Sequence, residues 1–294
     1  MRSIRDRKHE HKHINYKKRY RYIILLILTM IVFSMTEIVV TGLVFSMDES
    51  ILNSEINIYG NQSFKVEIGG MLKMDQELFV LKDCSKSYIT KYYRVDALKT
   101  TNLTVPKGIN IIHGKSGSGK STFMHVLASM EKPTSGSVYY KKKSIYTEHD
   151  IQLLRRREFG FVFQSYNLIE DFNVYDNITL PLVFDKSDDF TVFDEAVEIL
   201  DLKNKLKRYP STLSGGEKQR VAIARAIVNH PKVIFADEPT GNLDEENSML
   251  VVEMLIDLCK KFNASLLMVT HDNDYIRYGE AVFMIHNGVI TRES

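Results

Sequence analysis

Gly114-Lys-Ser-Gly-Ser-Gly-Lys-Ser-Thr122 fits the pattern G-x-x-x-x-G-K-[ST]. The apolar run Ile109-Asn-Ile-Ile112 precedes it and reads as a buried strand, and Phe123-Met-His-Val-Leu-Ala128 follows it and reads as a helix. Strand, glycine-rich loop and helix form the setting in which this pattern has a physical meaning. Glycines let the backbone turn successive N–H groups toward phosphate oxygens, and the helix N-terminus adds the positive end of its dipole. Gly114, Lys115, Ser116, Gly117, Ser118, Gly119, Lys120, Ser121 and Thr122 are therefore the candidate phosphate cradle. Lys120 is placed to reach the β- and γ-phosphates, and the Ser121 hydroxyl to sit on Mg²⁺. The loop names a ligand rather than a job.

The 294 residues suffice for one large domain or two small ones. The net charge is only +2, but it is unevenly spread: residues 1–22 carry nine Lys/Arg against two acids, and the remaining chain is net acidic. The basicity is a local tail, which excludes a nucleic-acid face on the folded part. The two cysteines, Cys84 and Cys259, stand far apart without metal-like spacing and read as reduced core residues.

The basic tail runs into an apolar stretch, Tyr22 to Phe45, interrupted by the single charge Glu37. Its length suits one membrane-spanning helix over 23–46, and no small-residue cleavage site follows it. A basic tail beside such a run points to a membrane surface. The positive-inside rule places Arg2 to Arg21 in the cytoplasm. A single crossing then puts the glycine loop on the far side, away from cytosolic ATP, and the two expectations conflict.

Three further stretches extend the chemistry. Val233-Ile-Phe-Ala-Asp-Glu238 is an apolar run closed by two acids: a buried parallel strand with carboxylates at its C-terminal end, where ligands of open α/β sheets gather. Asp237 is the candidate to hold Mg²⁺ through water, and Glu238 to polarise an attacking water. Leu266-Leu-Met-Val-Thr-His-Asp272 is another buried strand ending in polar groups. Leu213-Ser-Gly-Gly-Glu-Lys-Gln-Arg220 opens a helix after a glycine turn; a Ser-capped helix start explains Ser214, but not Glu217-Lys-Gln-Arg220.

From about Leu78 to the C-terminus, these motifs in this order resemble the ATP-binding subunit of ABC transporters. The resemblance implies an α/β P-loop NTPase fold over 76–294, with a mixed sheet core, an antiparallel β subdomain and an α-helical subdomain at about 165–215. It implies ATP and Mg²⁺ as cofactors. Ser214, Gly215 and Gly216 match the family signature, which binds the γ-phosphate of ATP held by a second ATPase subunit. Pro239-Thr-Gly-Asn-Leu-Asp244 resembles the D-loop, with Asp244 at that subunit interface. His271 matches the switch histidine that contacts the γ-phosphate. Gln164, in Phe161-Val-Phe-Gln-Ser-Tyr-Asn167, matches the Q-loop glutamine that ligates Mg²⁺. Tyr88 is the candidate to stack on adenine, with Tyr92 and Tyr93 as neighbours that could be confused with it. Catalysis is thereby expected from Glu238, His271, Lys120 and Gln164, with Ser121, Gln164 and Asp237 on the metal.

Asp176 to Leu182 and the amphipathic Val192 to Leu200 look like the helical subdomain that docks a permease, and Arg155-Arg-Arg157 reads as a solvated helix end or a partner contact. Gly160 to Leu168, with the Pro239–Asp244 stretch, is similar to the subfamily of lipoprotein-releasing, macrolide- or peptide-exporting and cell-division ABC ATPases. The leader from Lys17 to Gly69 is similar to the opening of a macrolide-exporter-type permease, with 47–75 as linker or truncated permease segment. The expected function is ATP hydrolysis at a dimer interface, driving a partner permease for export from the cytoplasmic face of the cell membrane. The alternatives are a cell-division ATPase driving cell-wall remodelling, and a soluble non-transport ABC ATPase. The expected partners are a permease, a second ATPase subunit and the membrane, with no nucleic acid.

Overall fold

The structure, a computed structural model, describes residues 56–57, 63–64 and 77–293, apart from 90, 149, 186 and 188. The basic tail, the expected spanning helix at 23–46 and most of the 47–75 segment lie outside the described residues. No described helix is long and apolar enough to cross a membrane. Met1–Met71 and Leu72–Ser294 form two separate units. In the first, β1 (Ile56–Asn57) pairs antiparallel with β2 (Ser63–Phe64).

The second unit begins with two long strands, β3 (Glu77–Ile89) and β4 (Arg94–Pro106), followed by β5 (Ile109–His113), α1 (Lys120–Leu127), β6 (Ser135–Tyr140) and β7 (Lys143–Ser144). A short helix α2 (Ile145–Glu148), then α3 (Ile151–Arg157) and β8 (Phe159–Phe163), lead to α4 (Val174–Asp185) and α5 (Thr191–Ile199). The chain closes with α6 (Gly215–Ile227), β9 (Val233–Asp237), α7 (Glu245–Lys261), β10 (Ser265–Thr270), β11 (Ala281–His286) and β12 (Val289–Arg292).

One sheet has the order β12-β11-β5-β10-β9-β8, parallel except for the edge hairpin β11–β12. The other is antiparallel, in the order β4-β3-β6-β7. The mixed sheet and the antiparallel sheet expected from the motifs are both present. The central strands β9 and β10 are buried almost end to end. This follows from their near-continuous apolar sequences, which suit parallel strands covered on both faces.

Two apolar cores lie on the two faces of the mixed sheet. One joins it to α4, α5, α6 and α7; the other joins it to α1 and the antiparallel sheet. Phe235 of β9 anchors the second core. Its ring meets Phe159 edge-on at 5.2 Å, stacks on Phe161 at 5.7 Å and lies 6.0 Å from Phe79 of β3. Cys84 and Cys259 are buried and unbridged. The segment 165–215 holds α4, α5 and two 3₁₀ turns, Lys203–Lys205 and Pro210–Thr212. Arg155, Arg156 and Arg157 form the last turn of α3, where Arg156 and Arg157 pair with Asp185 at the end of α4.

Candidate active site

The parallel register sets the site. His113 of β5 is opposite Thr270 of β10, Val269 of β10 is opposite Asp237 of β9, and Asp237 is opposite Phe163 of β8. Four consecutive strands therefore end on one line, and the next residues are Gly114, His271, Glu238 and Gln164. Residues more than 150 positions apart meet because parallel strands present their C-terminal ends at a common edge.

From β5 the chain turns through Gly114, at φ +153°, and Gly117, at φ +75°. Gly119, at φ +107°, is the residue from which α1 springs. A Cβ at Gly119 would lie 2.2 Å from the Ala97 carbonyl oxygen of β4, so the loop passes too close to that strand for any side chain. The helix starts at Lys120, three residues earlier than the apolar run at Phe123 suggests. Starting there puts Lys120 and Ser121 in its first turn, and Lys120 is 5% exposed. Its Nζ donates to the carbonyls of Gly114 (2.9 Å) and Lys115 (3.2 Å) and stands 3.6 Å from Glu238 Oε1. Lys115, Ser116 and Gly117 are exposed. The buried Ser118 Oγ has no hydrogen-bond partner.

At the end of β9, Asp237 Oδ1 accepts from Ser121 Oγ at 3.1 Å. Burial pushes the Asp237 carboxyl above its ordinary pKa, partly offset by the Ser121 bond and the nearby His125. Glu238 takes φ +45°, a strained setting for a residue with a side chain. Its N–H donates to Val269 and its carbonyl accepts from Gly241, which fix that turn. The turn brings Glu238 Oε2 to 3.0 Å from Nδ1 of His271. Lys120, Ser121, Asp237, Glu238 and His271 are thus brought together.

Gln164 follows β8. Its carbonyl accepts from Asn242 Nδ2 at 2.9 Å, and its side chain lies against Gly241. Its side chain makes no hydrogen bond to Ser121 or Asp237. Tyr88 lies near the end of β3. Its hydroxyl donates to Glu131 Oε2 at 2.5 Å and stands 3.4 Å from Thr122 Oγ1, which places the ring beside the start of α1. Tyr92 and Tyr93 are far more exposed, in the β3–β4 connection.

Ser214, Gly215 and Gly216 stand apart from the loop. Ser214 caps α6 in a reciprocal box: Ser214 Oγ accepts from Glu217 N, and Glu217 Oε2 accepts from Ser214 N. The bond from Ser214 N holds the Glu217 carboxyl below its usual range. Gly215 backs onto Tyr166 and Leu243, and Gly216 onto Asn247. Among the described residues, no hydrogen bond or ion pair joins Ser214–Gly216 to Gly114–Thr122. Asp244 caps α7, accepting from the backbone and side-chain amides of Asn247.

Sequence reading missed several groups. Arg225 of α6 donates to the Tyr166 and Asn167 carbonyls and so holds the turn after Gln164. His125 and Glu131 flank the site behind α1, with His125 Nε2 4.0 Å from Asp237 Oδ2. His125 lies four residues after Ser121 and so on the same helix face, a signal present in the sequence.

The donor set fits a nucleotide triphosphate with a hard cation. Lys120 Nζ is held at the loop mouth by two carbonyls with the Glu238 carboxylate nearby, and the buried Ser118 hydroxyl is unsatisfied. Among the described residues, no cluster of three or more His, Cys, Asp or Glu could cage a metal. One carboxylate and one hydroxyl, Asp237 and Ser121, is instead the sparse oxygen set suited to Mg²⁺, which keeps waters and takes phosphate oxygens.

Comparison with known proteins agrees. Residues 98–241 match the ABC transporter family model. A lipoprotein-releasing system ATP-binding protein, LolD, of Buchnera aphidicola is 40% identical over 210 residues, 69% of this chain and 92% of its own. An uncharacterized ABC transporter ATP-binding protein of Methanocaldococcus jannaschii is 41% identical over 200 residues, 66% of this chain and 89% of its own. The solved dimer of the ATP-binding cassette MJ0796, in a post-hydrolysis state with ADP and Pi, has a TM-score of 0.66 at 32% identity. It covers 74% of this chain and 99% of that one. With its glycine loop, paired acids and histidine converging at the strand ends, the chain belongs to the ABC transporter family, as one of its ATP-binding, ATP-hydrolysing subunits.

Proposed function

We propose that this subunit hydrolyses MgATP at a site completed by a second copy and uses the energy to drive a partner permease for export, at the cytoplasmic face of a membrane. The observation that carries this reading is the separation within one chain of two half-sites. Lys120, Ser121, Asp237, Glu238 and His271 converge, whereas Ser214–Gly216, a phosphate-facing helix start by its chemistry, bonds to none of the glycine loop. A second subunit that supplies its signature to the first loop completes both halves. The dimeric form of the MJ0796 relative supports this arrangement.

The residues divide the work of phosphoryl transfer, which needs positioning and charge neutralisation more than covalent chemistry. The backbone N–H groups of Gly114–Thr122 cradle the β- and γ-phosphates, and Lys120 exchanges its two carbonyl contacts for phosphate oxygens. Ser121 and Asp237 would hold Mg²⁺, with Gln164 as a further candidate ligand. When bound, Mg²⁺ would supply neutralisation of the charge that develops on the transferred phosphoryl group. Glu238 accepts the proton of the attacking water, and His271, bonded to it at 3.0 Å, orients that carboxylate and the γ-phosphate. Tyr88 stacks on adenine, and Asp244 acts at the subunit boundary through its hold on α7.

A groove of about 890 Å³ supports the permease partner. It lies between α3 and α4, with Phe161 and Phe163 of β8 on its wall and Leu180, Pro181 and Phe184 of α4 opposite. Phe184 is 64% exposed, a large apolar surface suited to a docked segment. Phe163 precedes Gln164, so a partner seated here touches the strand that carries this glutamine. The similarity to LolD, the ATP-binding protein of a lipoprotein-releasing system, favours export with lipid-anchored cargo.

The test is turnover by the full chain against protein concentration, with Lys120→Ala beside it. Turnover per subunit that rises with concentration, and loss of ATP binding in the variant, support the reading. Concentration-independent turnover overturns the shared site, and unchanged ATP affinity in the variant overturns the role of the loop.

A further inference from the structure

Glu131, at the C-terminal corner of α1, is held on every side. Its N–H donates to the His125 carbonyl (3.1 Å), and its own carbonyl accepts from the Tyr146 hydroxyl (2.6 Å). The same Tyr146 hydroxyl also reaches the Val126 carbonyl at 2.7 Å, which locks the corner to the helix. Both carboxylate oxygens are engaged. Oε2 takes the Tyr88 hydroxyl at 2.5 Å and the Lys86 ammonium at 3.2 Å, and Oε1 faces His125 Nδ1 at 3.5 Å. Lys86 is fixed in turn by the Lys132 carbonyl, at 2.9 Å, and lies 5.1 Å from the centre of the Tyr88 ring. A carboxylate with its backbone pinned and both oxygens occupied is a rigid post, and Tyr88 is tied to it by its far end.

We propose that Glu131 is a positioning residue for nucleotide-base recognition: it fixes the plane of the Tyr88 ring beside Thr122, so that the base meets a preset aromatic face. This rests on the nucleotide reading of the loop and deepens it. A tyrosine that is 37% exposed samples other rotamers unless its hydroxyl is held. Fixing the ring before binding removes an ordering cost that the ligand otherwise meets. Lys86 belongs to the same device, since it neutralises Glu131 and faces the ring as a cation. The phosphates lie at the opposite end of the ligand, on the N–H groups of the loop, so the device acts chiefly on the base; its links to the phosphate end are Thr122, 3.4 Å from the Tyr88 hydroxyl, and His125, between Glu131 and Asp237.

The experiment compares two probes on the full chain, MgATP and magnesium tripolyphosphate, the second of which carries phosphates without a base. Glu131→Ala and Tyr88→Phe should each weaken ATP binding about 2- to 10-fold, the cost of leaving one side chain to be ordered by the ligand. Both should leave tripolyphosphate affinity unchanged. The double variant should match the worse single variant, because each removes the same bond. Glu131→Gln, which keeps an acceptor oxygen, should retain most of the ATP affinity. Equal weakening of both probes by Glu131→Ala means a general structural role and overturns the proposal, as does strict multiplication of effects in the double variant. Failure of the parent protein to bind either probe refutes instead the nucleotide reading on which the proposal rests.

Discussion

Replacing Gly119 by alanine tests how the glycine loop is built, and Gly117→Ala is its internal control. Both positions have positive φ, +107° and +75°. Both positions therefore strain an L-residue, by about 1–2 kcal/mol near the left-handed well and by no less at Gly119, whose φ lies outside it. Their surroundings differ. A Cβ at Gly117 meets nothing within 4 Å, whereas one at Gly119 lies 2.2 Å from the Ala97 carbonyl oxygen and 3.3 Å from its carbon. Relief requires β4 or the start of α1 to move by roughly 1 Å, and forced overpacking of this kind costs about 1–3 kcal/mol. Gly119→Ala should therefore be less stable than Gly117→Ala by at least about 1–3 kcal/mol, the overpacking term. Urea unfolding, with midpoint and slope measured for both, reads the difference directly. The same displacement moves Lys120, so ATP affinity should fall further in Gly119→Ala than its stability loss alone explains. Equal midpoints in the two variants would refute the close approach of loop and strand.

Asp237→Asn should raise the thermal midpoint of the nucleotide-free protein at pH 7 while abolishing Mg²⁺-dependent hydrolysis. Burial raises this carboxyl above its unfolded value, so the folded state disfavours its charge, and the penalty is present above the folded pKa. The gain from the amide should shrink as pH falls through that pKa and vanish below the ordinary carboxylate range, where both states are protonated; a thermal series across pH checks it. Ser214→Ala removes the acceptor of the capping box and should cost about 1 kcal/mol in unfolding free energy. Because Ser214 touches none of its own glycine loop, ATP binding to the isolated subunit should persist while hydrolysis is lost; loss of binding at low protein concentration would contradict the two-subunit site.

Much of this site was legible because its residues sit where apolar runs stop. Val233–Ala236 and Leu266–Val269 read as buried strands from their apolar runs, and the polar residues that close them, Asp237-Glu238 and Thr270-His271, lie at one edge of the sheet, where Glu238 meets His271. Gly114 to Lys120 read as a loop because the glycine spacing has one mechanical purpose. Ser214 caps its helix, as a serine before a glycine turn suggests; its contact with a second subunit's γ-phosphate belongs to the proposed dimer. The start of α1 at Lys120 was misjudged because apolar periodicity marks only the buried face, and Lys120 enters the helix by its loop contacts. Arg225 and Glu131 were not legible. Their partners are the Tyr166 and Asn167 carbonyls and Tyr88, which lie far off in sequence and come near only after the sheets stack. The side chain of Gln164, turned to Gly241 and away from Ser121, depends on a turn conformation that no local pattern encodes.

The central claim is that one chain carries two half-sites and that a second copy completes each. Glu238→Gln removes the proton-accepting carboxylate and keeps one oxygen, which can serve either His271 Nδ1 or Lys120, since these face different oxygens of Glu238. Loss of a general base slows turnover by about 10²–10⁴-fold. Sedimentation of this variant with MgATP, beside its hydrolysis rate, gives the most direct answer. The account predicts a stable dimer with ATP, a monomer without it, and turnover reduced to that degree. A variant that stays monomeric at saturating MgATP, or that hydrolyses ATP at the parent rate, would contradict it.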